Sequence, residues 1–199
     1  MPELNVLVVG AGLAGLSTSF HLAERGVKVT LIEKDRVGSG SSSRSGAVNT
    51  MLMGSRAATI ARGMSFDIFE RFDRILDDYN FHQVGCLGIY DQGQLETAST
   101  LHDTQREAGA KFEVLRRQDL EERFPDLRVK DTEAGVLDLR GGWSEPDIYI
   151  PALTKKVREL GVEIREGAVV EDFLVDANRV HGVRLRGGEE LRHDVTVCT

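Results

Sequence analysis

With 199 residues, 41% of them hydrophobic and 29% charged, the chain has the composition of an ordinary globular protein and the length of one sizeable domain or one and a half small ones. A net charge of −7 argues against a nucleic-acid role, because phosphate backbones call for clustered Lys and Arg. No run approaches 18 apolar residues and no basic stretch precedes the first apolar run, so neither a membrane span nor a signal peptide is expected. The two cysteines, Cys86 and Cys198, are too few and too far apart for a disulfide framework or a metal cluster, and a reducing cytoplasm is the expected location.

In chain order, residues 4–9 are an apolar run of strand length that fits a fully buried parallel strand. Glycines follow, then a helix is expected over 13–25, closed by Gly26. The β-branched run 27–32 predicts a second strand, ending at Glu33, and residues 38–46 are a polar loop of Gly, Ser and one Arg. A helix is expected over 55–79, with Ile60, Met64, Ile68, Phe72, Ile75, Leu76 and Tyr79 on one core-packing face. The middle of the chain predicts a strand at 84–90, a helix at 95–108, a short helix capped by Asp119 and stopped by Pro125, and a strand at 134–139. A helix over 147–160 ends at Gly161, and a strand covers 162–165. Three strands at 168–175, 179–186 and 190–193, separated by Asp-Ala-Asn and Gly-Gly turns, predict a β-meander. One more apolar strand covers 194–199.

Gly10-Ala11-Gly12-Leu13-Ala14-Gly15 is a G-x-G-x-x-G turn between a buried strand and a helix, which is the context a dinucleotide site needs. Gly10 would permit the tight turn, Gly12 would let the backbone approach a pyrophosphate, and Gly15 would let helix and strand pack closely. The helix N-terminus offers N–H groups and partial positive charge to an anion. Glu33 lies 23 residues after Gly10, at the end of the second strand. A carboxylate there can accept hydrogen bonds from ribose hydroxyls and would repel a 2′-phosphate, which favours FAD or NAD over NADP. The loop that follows selects FAD. Its small residues admit a ligand close to the backbone, and its hydroxyls and Arg44 can bind phosphate oxygens.

On these residues the chain resembles the FAD-dependent oxidoreductase superfamily of D-amino-acid oxidase, glycine oxidase and sarcosine oxidase. Members open with the glycine turn and an acid ending the second strand, then a small-residue loop with a Ser-x-Arg-like core beside the pyrophosphate. The resemblance continues through residues 81–90 as the first strand of a substrate domain, through Gly141-Gly142-Trp143-Ser144-Glu145-Pro146 as a turn leading back, and through 169–173 and 195–199. It implies FAD contacts at Gly10, Ala11, Gly12, Leu13, Ala14, Gly15, Glu33, Lys34, Ser42, Ser43, Arg44, Ser45, Gly46, Ala47 and Thr199, and at Val170 through its backbone to the adenine. It implies an α/β fold: a Rossmann-like FAD-binding domain with a β-meander crossover, plus an incomplete α+β substrate domain. The expected division is 1–81 and 146–199 for the FAD-binding domain and 82–145 for the substrate part.

The implied activity is oxidation of a small-molecule secondary amine or amino acid by hydride transfer to the flavin, as in sarcosine and glycine oxidases. A flavin-dependent 2-hydroxy-acid or glycerol-3-phosphate dehydrogenase shares the opening motifs. So would an inactive FAD-binding fragment, or a subunit needing a second chain. Full-length members are about twice this size, so the sequence is expected to be a truncated chain or half of an enzyme completed by another polypeptide.

No catalytic base and no metal site is assigned from sequence. His21 is read as structural, His82 and His102 as surface or packing residues, and His181 and His193 as parts of the meander. Cys86 reads as a buried inert thiol and Trp143 as packing. Residues 38–50 contain no His or Cys, so no covalent flavin bond is expected from that loop. Arg44 and Arg56 are candidates for a substrate carboxylate, for phosphate, or simply for a solvated face.

Overall fold

The structure, a computed structural model, describes residues 4–199. In chain order the elements are β1 (Asn5–Val9), α1 (Leu13–Ala23), β2 (Lys28–Ile32), a 3₁₀ turn at Ser42–Arg44, β3 (Val48–Asn49), α2 (Arg56–Ile75) and β4 (Cys86–Asp91). There follow α3 (Gln92–Ser99), α4 (His102–Glu107), β5 (Phe112–Leu115), α5 (Arg117–Arg123), β6 (Glu133–Asp138), β7 (Gly142–Trp143) and α6 (Pro146–Glu159). The last elements are β8 (Glu163–Arg165), β9 (Val170–Asp176), β10 (Arg179–Leu185), β11 (Glu190–Arg192) and β12 (Val195–Cys198). They fall into two compact units. One runs to Ser45 and takes in Leu76–Tyr79 and Pro146–Thr199; the other is Gly46–Ile75 with Asn80–Glu145. The sequence-based division and this one differ over residues 46–75, which carry α2.

The first unit is built on a parallel sheet in the order β12-β1-β2-β8. Val6, Leu7 and Val8 are buried on both faces of β1, which is why that strand reads as an unbroken apolar run. Helix α1 puts Leu16 and Phe20 into the core, each contributing about 1.5–3 kcal/mol over the exposed state, and packs beside α6. The meander forms as expected: β11-β10-β9 is antiparallel. Its Val183 and Leu185 close over Leu7 and Ile32 and form one core cluster with Ala168. The α/β architecture read from the sequence is the one observed.

The second unit holds a three-stranded antiparallel sheet, β4-β6-β5, and a two-stranded pair, β3-β7. Neither β5 nor the β3-β7 pair was legible in the apolar pattern. Helix α5 covers one face of the larger sheet through Leu120, which packs with Leu115 and Leu137. Phe66 and Met51 form a second cluster with Ala110. Arg140 ties α2 to the end of β6: its guanidinium donates to Glu70 at 2.6 Å and Asp67 at 3.3 Å and lies over the Phe66 ring.

Four expectations are corrected here. The apolar stripe is buried only in its later part: Phe72, Leu76 and Tyr79 are buried, but Ile60 and Met64 are 44% and 67% exposed, and Thr59, Gly63 and Phe66 are buried in their place. The contact line follows the small residues: a Cβ on Gly63 would lie 2.5 Å from the Ala108 carbonyl oxygen. The helix also stops at Ile75, and Leu76 and Tyr79 belong to the first unit, where Tyr79 meets Tyr149. The helix expected over 95–108 is two helices. The Ser99 and Thr100 hydroxyls donate to the carbonyls of Glu96 and Thr97, and side-chain bonds of this kind compete with the helical ladder at the break. Asp119 is not the cap of α5 but sits in its first turn, where its carboxylate accepts from the Arg116 N–H at 2.8 Å.

Candidate cofactor-binding site

The turn between β1 and α1 is shaped by three glycines that are small for three different reasons. Gly10 has φ +103°, and a Cβ there would meet the Thr199 carbonyl oxygen at 2.8 Å, so both backbone and packing require glycine. At Gly15 a Cβ would lie 1.8 Å from the Gly10 carbonyl oxygen; the first turn of α1 rests directly on the turn that precedes it. Gly12 is the exception. Its backbone is extended, at φ −75° and ψ −175°, and its missing Cβ would meet only the Ser42 hydroxyl, at 3.1 Å. Among the described residues no backbone atom lies within 4 Å of that position, which leaves the space in front of it open.

The N-terminus of α1 faces the same opening. Helix α1 has no acidic residue in its first turn, so its partial positive charge is not neutralised from within. The Leu13 N–H donates to the Ser42 Oγ at 2.9 Å. A hydroxyl in that position keeps a backbone donor satisfied and can turn its own proton towards an anion. Glu33 reaches back to the other side of the turn. Its carboxylate accepts from the Ala11 N–H at 2.9 Å and from the Asp35 N–H at 3.0 Å, while its backbone bridges Arg165 and Ala168.

The sequence-predicted residues divide accordingly. Gly10, Ala11, Gly12, Leu13, Gly15, Glu33 and Ser42 are joined by the contacts just given, and Thr199 joins them. Its N–H donates to the Val9 carbonyl at 3.0 Å, and its hydroxyl proton is shared between the carbonyls of Val9 and Gly10 at 3.1 and 2.9 Å. Ala14 and Lys34 are exposed. Ser43 and Arg44 are also exposed and both donate to the Gly40 carbonyl, at 3.4 and 3.1 Å. Ser45 is the last residue of this stretch in the first unit. Gly46 and Ala47 belong to the second unit, where the Ala47 carbonyl accepts from Asn49 and from the Ser144 N–H. Val170 is half-buried at the start of β9, opposite Leu185 and against the core of the sheet.

Two residues that position the loop were not singled out from sequence. The Gly38 N–H donates to the Ala11 carbonyl at 2.9 Å, and the Val37 N–H donates to the Glu166 carboxylate at 2.7 Å. Gly38 carried a signal, the first of three glycines in a polar loop. Glu166 carried none, because 129 residues separate it from Val37. In the second unit, His82 stacks on Trp143 with ring centroids 4.1 Å apart, a packing role for both. Burial raises the Cys86 thiol above its ordinary pKa, with Asp138 adding to the shift. That keeps it protonated and unreactive at neutral pH.

Known proteins match this arrangement. A family model described as FAD dependent oxidoreductase (DAO) covers residues 5–199. Human peroxisomal sarcosine oxidase is 26% identical over 173 residues, spanning 85% of this chain and 44% of that protein. Sarcosine oxidase subunit beta from Arthrobacter sp. is 26% identical over 195 residues, spanning 92% of this chain and 48% of that protein. The crystal structure of L-proline dehydrogenase from P. horikoshii superposes with a TM-score of 0.90 at 25% identity, covering 100% of this chain and 53% of that one. The chain thus spans about half the length of these relatives. Among the described residues, no helix is long and apolar enough to cross a membrane.

Proposed function

This chain belongs to the family of FAD-dependent oxidoreductases, and on that premise we propose that it holds FAD at the β1–α1 turn and serves the oxidation of a secondary amine or amino acid. The observation that carries the reading is the opening at Gly12. A glycine with no internal need to be small is flanked by a carboxylate on the Ala11 N–H and a hydroxyl on the Leu13 N–H. In this reading the α1 N-terminus and Ser42 bind the pyrophosphate. Glu33 accepts from the ribose hydroxyls and turns away a 2′-phosphate. Thr199 braces the Gly10 carbonyl, and Ser43, Arg44 and Ser45 continue the path towards the flavin. Lys34 flanks the ribose, and the Val170 backbone meets the adenine. Bound there, the isoalloxazine supplies a two-electron acceptor for a C–H beside an amine nitrogen.

The sarcosine oxidase and proline dehydrogenase relatives support the amine substrate class. The chain spans about half the length of those relatives, and in this reading substrate choice rests mainly on the part of them that it does not match.

Glu33 provides the test. FAD is expected to bind the unmodified chain one to one and NADP not to compete. Glu33→Ala is expected to weaken FAD by roughly 10- to 100-fold, the usual worth of hydrogen bonds to a charged group. Quenching of flavin fluorescence measures both. An unchanged FAD affinity in the variant would remove Glu33 from the site. For the activity, sarcosine or proline added anaerobically to the flavin-loaded protein, with the remaining half supplied, is expected to bleach the flavin's visible absorption. Bleaching by a hydroxy acid instead would overturn the amine assignment.

A further inference from the structure

The segment between Glu33 and Ser42 joins two of the polar groups that the proposed cofactor site uses, and it has no strand or helix of its own before the 3₁₀ turn. It is held at separate points instead. The Asp35 N–H donates to the Glu33 carboxylate at 3.0 Å, and the Asp35 carbonyl accepts from the Gly167 N–H at 3.1 Å. Further on, the Gly38 N–H donates to the Ala11 carbonyl at 2.9 Å, and the Ile150 side chain backs Gly38. Between these points the Val37 N–H donates to the Glu166 carboxylate, the shortest of these contacts at 2.7 Å. Glu166 lies at the surface, in the turn between β8 and β9. Among the described residues it makes no ion pair, and its one polar partner is that N–H. By charge alone an exposed carboxylate here opposes an anionic ligand, weakly, because solvent and salt screen it. Its hydrogen bond acts in the other direction, by fixing the backbone that carries Glu33 and Ser42.

We propose that Glu166 is a positioning residue for the dinucleotide site: its hydrogen bond to Val37 holds residues 34–38 so that Glu33 and Ser42 stand ready together before FAD arrives. This rests on the FAD reading above. A loop that keeps its binding form for only a fraction of the time lowers the apparent association rate in proportion to that fraction, and leaves the dissociation of the formed complex largely unchanged.

Two variants separate reach from charge. Glu166→Gln keeps a carbonyl oxygen at the same reach and removes the charge. Glu166→Asp keeps the charge and is one methylene shorter. In stopped flow with FAD, Glu166→Asp is expected to associate about fivefold more slowly than the unmodified chain, the worth of one exposed hydrogen bond read as lost preorganisation. Its dissociation rate is expected to stay within about twofold of the original. Glu166→Gln is expected to associate as fast as the unmodified chain. The role of Glu166 is overturned if Glu166→Asp associates at the original rate, if both variants slow equally, or if the loss falls in dissociation alone. A charge effect without positioning gives the first of these, with Glu166→Gln the faster. An unmodified chain that takes up no FAD would instead overturn the cofactor reading, and this inference with it.

Discussion

Gly15→Ala is expected to destabilise the first unit by about 3 kcal/mol and to abolish cofactor retention, at the upper end of what one extra methyl does in a packed core. The added Cβ has nowhere to go. It would lie 1.8 Å from the Gly10 carbonyl oxygen and 2.9 Å from the Thr199 hydroxyl, and the first of these is backbone. Relief requires α1 to back away from the turn, which also withdraws the helix N-terminus from the anion it is placed to bind. Gly12→Ala separates the two effects. Its Cβ would meet only a rotatable hydroxyl at 3.1 Å, so the melting temperature should stay close to that of the unmodified chain. Affinity for FAD should nevertheless fall by about tenfold or more, because the methyl fills the space that the proposed site gives to the pyrophosphate. Thermal melts paired with flavin binding test both, and a Gly15→Ala chain that melts and binds like the original would show that the close approach at α1 is not structural.

Asp138→Ala is expected to cost the second unit about 3–5 kcal/mol. Asp138 ends β6 and is fully buried. One carboxylate oxygen accepts from the Met51 N–H at 2.6 Å and the Thr50 hydroxyl at 2.9 Å, and the other from the Arg140 N–H at 3.0 Å. Alanine strands three donors, one of them a buried backbone N–H. It also releases the segment that follows β3 from the end of β6. Asp138→Asn should recover less than half of the loss, because its amide can offer only one acceptor atom and turns a donor towards donors. Urea midpoints at constant m-value measure this, and an alanine variant within 1 kcal/mol of the original would contradict it.

These two sites also mark what was legible in the sequence. The dinucleotide turn is local: strand, three glycines, helix and acid fall within residues 5–33, and each has a residue type its geometry requires. Periodicity carried the parallel strands and the meander for the same reason, since burial on one or both faces writes itself into neighbouring residues. The supports are non-local. Met51 and Asp138 stand 87 residues apart, and Val37 and Glu166 stand 129 apart; a carboxylate that accepts backbone N–H groups leaves no pattern in composition. The first turns of α2 were misread, at Ile60 and Met64, because the closest contact there is made by a glycine, whose missing side chain is what allows Ala108 to approach. In and just after the Ser-rich loop, sequence named six residues in a row, Ser42 to Ala47. Ser42 accepts from the Leu13 N–H at the helix N-terminus, while Ser43 and Arg44 turn to the Gly40 carbonyl, a distinction that residue type alone does not make.

The hydroxyl of Ser42 bears on how fast the site can fill. Its loop is held at Gly38 by the Ala11 carbonyl and at Val37 by Glu166, so the backbone around the opening is already in place. Freeing the Leu13 N–H for an incoming phosphate takes rotation about a single Cα–Cβ bond, an event of about picoseconds to nanoseconds. Capture of FAD is therefore expected to proceed at the rate of encounter. In stopped flow the observed rate should rise linearly with FAD concentration, without the plateau that a slow loop opening would impose.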